Sequence, residues 1–207
     1  MTVMLEEKTK IGKKYVEALR ARFGSSILDE SWQAPDQVTV TVPLNSVPDV
    51  VERLYCQQGG WLASVAANDE RPLNGQFAVY YILSVEGSET DKAQLDNEKA
   101  YVVVRAQIPP HQPEFPSVTP KVPAAVWYER EIRDMFGLQS IGLPDERRLV
   151  LPDDWPDDLH PLRKDAMDYR YRPEPTTEEE TYDFINVEGE GIVQVPLGPL
   201  HMTSDEP

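Results

Sequence analysis

Gln76-Phe77-Ala78-Val79-Tyr80-Tyr81-Ile82-Leu83-Ser84-Val85 is a run of aromatic and β-branched side chains with no charge and no proline, the composition of a strand that lies inside a sheet. Two runs of the same kind flank it, Trp61 to Asn68 before and Ala100 to Ile108 after. Asn74-Gly75 marks a turn between the first two, and the polar stretch from Glu86 to Glu98 has the character of a surface loop. Further out, Val38, Val40 and Val42 alternate with Gln37, Thr39 and Thr41 before Pro43, which predicts a fourth, half-buried strand. Ile11, Tyr15, Val16, Leu19 and Phe23 recur at helical spacing and Gly24 follows, so a helix is predicted from about residue 9 to 23. Ser46 has Asp49 three residues on and Pro48 in the first turn, the pattern of a capped second helix. Its inner face is Val47, Val50, Val51, Leu54 and Tyr55, and Gly59-Gly60 ends it. Helix, strand, helix and three strands in succession predict an α+β fold: a mainly antiparallel four-stranded sheet with helices packed on one face.

The rest of the chain has a different composition. Of 19 prolines, 15 fall in residues 109–207, so an extended, irregular course is expected there. The formal charge is −16, from 20 Lys plus Arg against 36 Asp plus Glu. From Pro173 onward there is no Lys or Arg and nine acids, leaving residues 1–172 at only −7. So negative a chain is poorly suited to nucleic acid or to direct binding of anionic lipid, both of which need clustered cations. Its apolar runs are far shorter than the roughly 20 residues of a membrane-spanning helix. Met1 to Glu7 lacks the basic and then apolar segments of a secretory leader, and Cys56 has no partner for a disulfide, so a cytoplasmic protein is expected. Cys56 itself is read as a small semi-buried hydrophobe.

Ala124 to Gly137 predicts a third helix closed by glycine. Glu129 with Arg133 and Arg130 with Asp134 have i, i+4 spacing and are expected to pair on a solvated face or at a packed boundary. Trp127, Ile132, Met135 and Phe136 are expected against the sheet. Beyond it lie Gly142-Leu143-Pro144-Asp145-Glu146-Arg147-Arg148-Leu149-Val150-Leu151-Pro152-Asp153-Asp154-Trp155 and His160-Pro161-Leu162-Arg163-Lys164-Asp165.

Trp127-Tyr128-Glu129-Arg130-Glu131, Asp134, Phe136-Gly137, Pro144-Asp145, Arg147-Arg148, Leu151-Pro152, Trp155 and His160 to Asp165 resemble the 30 kDa subunit of respiratory complex I, and Ser117-Val118-Thr119 fits the same family. The respiratory subunits usually have histidine where this chain has Leu143. The run from Gly142 to Trp155 is more similar to the version in the large subunits of formate hydrogenlyase and hydrogenase-4, where such a domain precedes a nickel-iron hydrogenase-like module. Gly198-Pro199-Leu200-His201-Met202-Thr203-Ser204-Asp205 resembles the opening of that module, with Asp205 in place of a histidine associated with the quinone headgroup in complex I. The resemblance implies three parts: an α+β domain over 1–137, an extended docking segment over 138–172, and an acidic linker with the start of a hydrogenase or 49-kDa-like module over 173–207. It also implies that residues 1–207 are the front of a longer polypeptide. The expected role is a non-catalytic assembly domain of a membrane-associated energy-converting hydrogenase that passes electrons to protons, held at the cytoplasmic face of the membrane. Its implied partners are the hydrogenase-like module, a small iron-sulfur subunit and membrane-arm subunits, which would hold the nickel-iron centre and iron-sulfur clusters. A complex I 30 kDa subunit and a freestanding interaction domain are the alternative readings.

No catalytic, cofactor or metal site is expected in these residues. Glu129, Glu131, Asp134 and the histidines raise a carboxylate-histidine metal site, but Glu129 and Glu131 are two apart and diverge by about 200° on a helix. No glycine-rich phosphate loop and no Cys-x-x-Cys pair is present. The mixed charges suit a protein interface instead, and its candidate residues are Trp127, Glu129, Arg130, Glu131, Asp134, Arg147, Arg148, Trp155, His160, Arg163, Lys164 and Asp165. Residues 138–172 are expected to wrap onto a partner or a following module, and replacing Arg147 and Arg148 together by Ala is expected to weaken assembly without unfolding the domain.

Overall fold

The computed structural model describes residues 12–86, 99–166, 168, 170, 173–174 and 189–193. The chain divides into two compact units, Met1–Thr176 and Thr177–Pro207. Of the second, the described residues are a turn at 189–193 with Gly191 at φ +82°. The module-like motif at 198–205 and the loop residues 87–98 lie outside the described residues.

The first unit is α+β, with a sheet of five strands rather than four. β1 (Asp29–Ala34), β2 (Gln37–Thr41), β3 (Gly60–Asp69), β4 (Phe77–Val85) and β5 (Ala100–Ile108) lie in the order β1-β2-β5-β4-β3. β1 escapes the sequence pattern because Asp29-Glu30-Ser31-Trp32-Gln33-Ala34 is an edge strand with no buried residue, so it carries no apolar alternation. The sheet is also mixed: β2 and β5 run parallel, and the other pairs antiparallel. The helix after β2 carries the chain across the sheet to β3 at the far edge, which leaves β2 and the returning β5 pointing the same way.

Three helices contribute to the core packed on the sheet. α1 (Lys13–Phe23) contributes Tyr15, Val16 and Leu19 to the core, α2 (Val47–Glu52) Val47, Val50 and Val51, and α4 (Val126–Phe136) Ile132 and Phe136. They meet Val38, Val40, Val79, Tyr81, Leu83, Val102 and Val104, the inward residues of the strands. Two local expectations, the Ser46 cap and a semi-buried Cys56, fail. Ser46 makes no side-chain cap, because α2 grows out of a 3-10 turn at Leu44–Ser46 and Ser46 already has helical dihedrals. Asp49 is engaged instead by Lys121 Nζ at 2.5 Å, with Glu52 at 2.6 Å. Asn74-Gly75 is the end of a one-turn helix, α3 (Arg71–Asn74), with Pro72 in its first turn and Gly75 at φ +78°. α2 continues as a π-helical turn at Arg53–Gln57, where Cys56 is exposed rather than semi-buried.

Two short strands, β6 (Glu114–Pro116) and β7 (Gln139–Ile141), form a separate parallel pair on either side of α4 in sequence. Beyond β7 the described chain has no regular structure, yet residues 143–166 lie within the same compact unit as the sheet.

Candidate functional site: the motif helix and its strap

α4 is built from the family motif, and its buried polar residues have partners distant in sequence. Glu129 is fully buried on the core face. Its Oε1 accepts from Tyr81 Oη at 2.8 Å and the Val118 amide at 2.7 Å. Its Oε2 accepts from the hydroxyls of Ser117 at 2.6 Å, Thr119 at 2.8 Å and Ser140 at 2.9 Å. Burial, together with the neighbouring Glu129, pushes the Tyr81 phenol well above its ordinary value, which keeps it a donor. The Ser117-Val118-Thr119 motif thus supplies three of the five donors, tying β4, the turn before α4 and β7 to one carboxylate. A buried charge left without such partners would cost several kcal/mol.

The next residue, Arg130, and Asp134 one turn beyond it hold the chain that follows. Arg130 Nε and Nη2 each donate at 2.8 Å to the carbonyls of Arg147 and Arg148, and Nη1 lies 3.2 Å from Asp145 Oδ2. Asp134 Oδ2 accepts from the successive amides of Leu149 and Val150 at 2.8 Å and Leu151 at 3.3 Å. The expected i, i+4 pairs of Glu129 with Arg133 and Arg130 with Asp134 are not made. Glu129 points into the core, and Arg130 and Asp134 bind backbone of an irregular segment that has no ladder of its own to satisfy it.

The same segment caps α4. A helix leaves its last carbonyls without partners, and Gly137, at φ +64°, sends its amide back to the Arg133 carbonyl at 2.8 Å. The carbonyl of Asp134 is met by His160 Nδ1 at 3.0 Å, that of Met135 by the Leu162 amide at 3.0 Å and that of Phe136 by Arg163 Nε at 2.6 Å. A Cβ on Gly137 would collide with the His160 ring and come within 2.7 Å of Arg163 Nη2. Burial, and secondarily Arg163, lowers the His160 pKa, while its bond to Asp134 opposes the shift. A neutral ring bonded this way carries its proton on Nδ1. Arg148 closes a further loop, donating at 2.7 Å to the carbonyls of Pro152 and Trp155 and pairing with Asp157. Trp155 Nε1 donates to the Leu159 carbonyl at 2.8 Å.

A last latch reaches the end of β3. Asp69, buried there, accepts from Arg71 Nε at 2.8 Å and Nη2 at 2.6 Å and from the Lys164 amide at 2.9 Å. Arg71 Nη2 also reaches Asp165 Oδ1 at 2.6 Å. The Arg71 fork holds Asp69 down to about 2, against the opposing pull of burial. The guanidinium carbons of Arg71 and Arg163 lie 4.6 and 5.5 Å from the Phe77 ring centroid, a cation-π arrangement that seats the strap on β4.

Residues 143–166 therefore form a strap fastened along α4 and across to β3, and most of the candidate interface residues fasten it. Glu129, Arg130, Asp134, Arg148, Trp155, His160, Arg163 and Asp165 are bonded to other parts of this unit. Trp127 faces outward, 68% exposed, contrary to the expected packing on the sheet. Glu131, Arg147 and the Lys164 side chain are also at the surface. Asp69, Arg71, Tyr81 and Ser140 carry as much of the arrangement as the motif residues, but apart from the Asp69–Arg71 pair, two residues apart, their partners lie 11 to 95 residues away and leave no local sequence signal. No group of three or more His, Cys, Asp or Glu among the described residues is placed to hold a metal ion.

The chain matches the family model of the respiratory-chain NADH dehydrogenase 30 Kd subunit over residues 40–172. It is 58% identical over 205 residues to formate hydrogenlyase subunit 5 of Escherichia coli, covering 99% of this chain and 34% of that protein. It is 59% identical over 196 residues to hydrogenase-4 component G of the same organism, covering 95% of this chain and again 34% of the relative. Similarity to the C/D polypeptide of the NADH-quinone oxidoreductase of Methylococcus capsulatus is 31% over 173 residues, 78% of this chain and 27% of that one. The chain thus spans about a third of the length of the curated relatives it matches. Among solved structures, a chain of the membrane-bound sulfane sulfur reductase, an archaeal respiratory membrane complex, aligns over 84% of this chain and 99% of its own with a TM-score of 0.62 at 20% identity. The trypsin-resistant fragment of Nqo5 aligns over 65% and 98% with a TM-score of 0.52 at 23% identity. Both show a shared fold.

Proposed function

Because the chain belongs to the respiratory-chain NADH dehydrogenase 30 kDa subunit family, we propose that it is the assembly and positioning domain of a membrane-associated, energy-converting nickel-iron hydrogenase of the formate hydrogenlyase type. The observation that carries this reading is the similarity of nearly the whole chain to the formate hydrogenlyase and hydrogenase-4 components, at almost twice the identity found for the C/D polypeptide. Leu143 and Asp205 point the same way. The geometry is consistent with a structural role: of the motif groups around the cavity lined by Arg133, Asp134, Arg148, Asp157 and His160, Asp134, Arg148 and His160 are bonded to backbone groups of the strap and of α4. The nickel-iron centre and iron-sulfur clusters belong, on this reading, to the rest of the polypeptide and to its partners. These are the hydrogenase or 49-kDa-like module, a small iron-sulfur subunit and the membrane arm. The site of action is the cytoplasmic face of the membrane.

A complex I role is favoured by one specific observation, the recurring match to the C/D polypeptides of NADH-quinone oxidoreductases. The two readings share the positioning role and differ in the partner's chemistry. The partner-facing surface is the outward part of the motif: Trp127, Glu131, Arg147 and Lys164. In the full-length protein, Trp127→Ala with Arg147→Ala is expected to reduce co-purification of the small iron-sulfur subunit while the domain stays folded. Unchanged subunit stoichiometry would count against the reading. Arg148 is a poor probe for the same purpose, because it holds the Pro152 and Trp155 carbonyls and its loss would loosen the strap.

A further inference from the structure

Every arginine of α4 and the strap has an acceptor, but two described arginines of the first unit have none. Arg22, in the last turn of α1, and Arg53, which opens the π-helical turn after α2, make no hydrogen bond or ion pair with any described residue. Both line one cleft of about 230 Å³, with Phe23, Asp49, Glu52 and Gln57. Arg22 is exposed and Arg53 half-buried, and the Arg53 Nε is buried without an acceptor. Asp49 stands four residues before Arg53, the spacing at which a carboxylate ordinarily takes a guanidinium on a helix. It is diverted: Lys121, from the turn before α4, donates from its Nζ to Asp49 at 2.5 Å and to Glu52 at 2.6 Å. The backbone contributes as well, since the π-helical turn widens the helix at Arg53–Gln57, a feature that recurs at functional sites.

We propose that this cleft binds one carboxylate, gripped between the guanidiniums of Arg22 and Arg53. Charge sets the valence: Arg22, Arg53 and Lys121 against Asp49 and Glu52 leave a single positive charge, in a chain of −16. A carboxylate neutralises it, whereas a phosphate dianion would add negative charge beside Asp49 and Glu52. Arg53 is partly desolvated with nothing to offset the cost, and an oxygen brought into the cleft supplies the missing acceptor. Planar guanidinium forks match the two oxygens of a carboxylate, and Gln57, exposed at the same cleft, adds an amide donor. The volume lies below the roughly 300–1,000 Å³ of ordinary ligand pockets. The carboxylate is therefore that of a small acid in solution or of a single Asp or Glu side chain on a bound polypeptide. The site is independent of the assembly reading and stands if that reading fails.

The test is arginine modification by phenylglyoxal in the full-length protein, followed residue by residue by mass spectrometry, with Arg71, held by Asp69 and Asp165, as the engaged reference. In the chain purified alone, in chloride, Arg22 and Arg53 are expected to react about tenfold faster than Arg71. Acetate at the same ionic strength is expected to slow both by about tenfold at saturation, and inorganic phosphate to slow them less. If the ligand is a partner's side chain, the assembled complex shows the same protection of both arginines without acetate; if it is a free acid, the assembly stays reactive until acetate is added. Acetate is also expected to raise the unfolding midpoint of the wild type but of neither Arg22→Gln nor Arg53→Gln, a readout that does not need the reagent to reach Arg53. Reaction of both arginines at the Arg71 rate in the chain alone together with no acetate-dependent midpoint shift, protection stronger with phosphate than with acetate, or an equal midpoint rise in the two variants would each overturn the proposal.

Discussion

The two oxygens of the Glu129 carboxylate are held not by a cation but by five neutral donors from three segments of the chain. Truncation strands a buried amide and a buried phenol, so Glu129→Ala is expected to destabilise the domain by about 3 kcal/mol or more. Glu129→Gln keeps the shape and one acceptor oxygen, and the three serine and threonine hydroxyls can turn to accept from its amide; a loss of about 1–2 kcal/mol is expected. Urea unfolding midpoints separate the two. Gly137 offers a second test with an internal control. Gly75 and Gly137 both have positive φ, but of these two only Gly137 has a side chain standing where its Cβ would be. Gly75→Ala should cost the left-handed penalty of about 1–2 kcal/mol, and Gly137→Ala that penalty plus about 1–3 kcal/mol for displacing His160. Equal losses would show that the His160 seat is soft.

At the scale of elements, the strap depends on α4 and β3 for the bonds that its own irregular backbone lacks. Asp134→Ala should raise amide hydrogen exchange at residues 149–151 well above that at residues 79–83 of β4, because three amides lose one shared acceptor. Uniform change across both would mean that the strap and the sheet open together. The latch at Asp69 has a pH signature. Its carboxyl is held at about 2, below its ordinary 3.8, chiefly by Arg71. The stability it contributes is therefore fully present above about pH 4 and is lost as the pH falls through about 2. Unfolding free energies of the wild type and Asp69→Asn should differ by a constant amount at pH 5 and above, and converge between about pH 4 and 2. A gap that persists at the acid end would place the latch elsewhere. The elements are legible in the sequence where the signal is local, as with the strands at 61–68, 76–85 and 100–108 and the glycine that ends α4. β1 is not, because an edge strand with two acids and one tryptophan has no apolar period. The charge pairing on α4 misleads for a related reason: helical spacing makes i, i+4 partners available, but Arg130 and Asp134 meet backbone groups 15 to 18 residues away that satisfy them better.

For the whole molecule, the candidate residues are legible as a set and not in their roles. The motif from Trp127 to Asp165 is recognisable from its residue types and spacings, yet folding buries or half-buries seven of its twelve candidate positions in the unit itself and ties an eighth, the exposed Asp165, to Arg71. The outward remainder, Trp127, Glu131, Arg147 and Lys164, is the part proposed to meet another chain. A domain that only positions its neighbours should leave the neighbours' chemistry intact when its surface is altered. The most direct measurement compares two quantities in the full-length Trp127→Ala, Arg147→Ala protein: its bound nickel, which reports on the hydrogenase-like module itself, and hydrogen evolution by the intact membrane assembly. A positioning role predicts that bound nickel is retained while the membrane-coupled rate falls with loss of the partner subunits. Loss of the bound nickel, or loss of the rate with every subunit still in place, would contradict it.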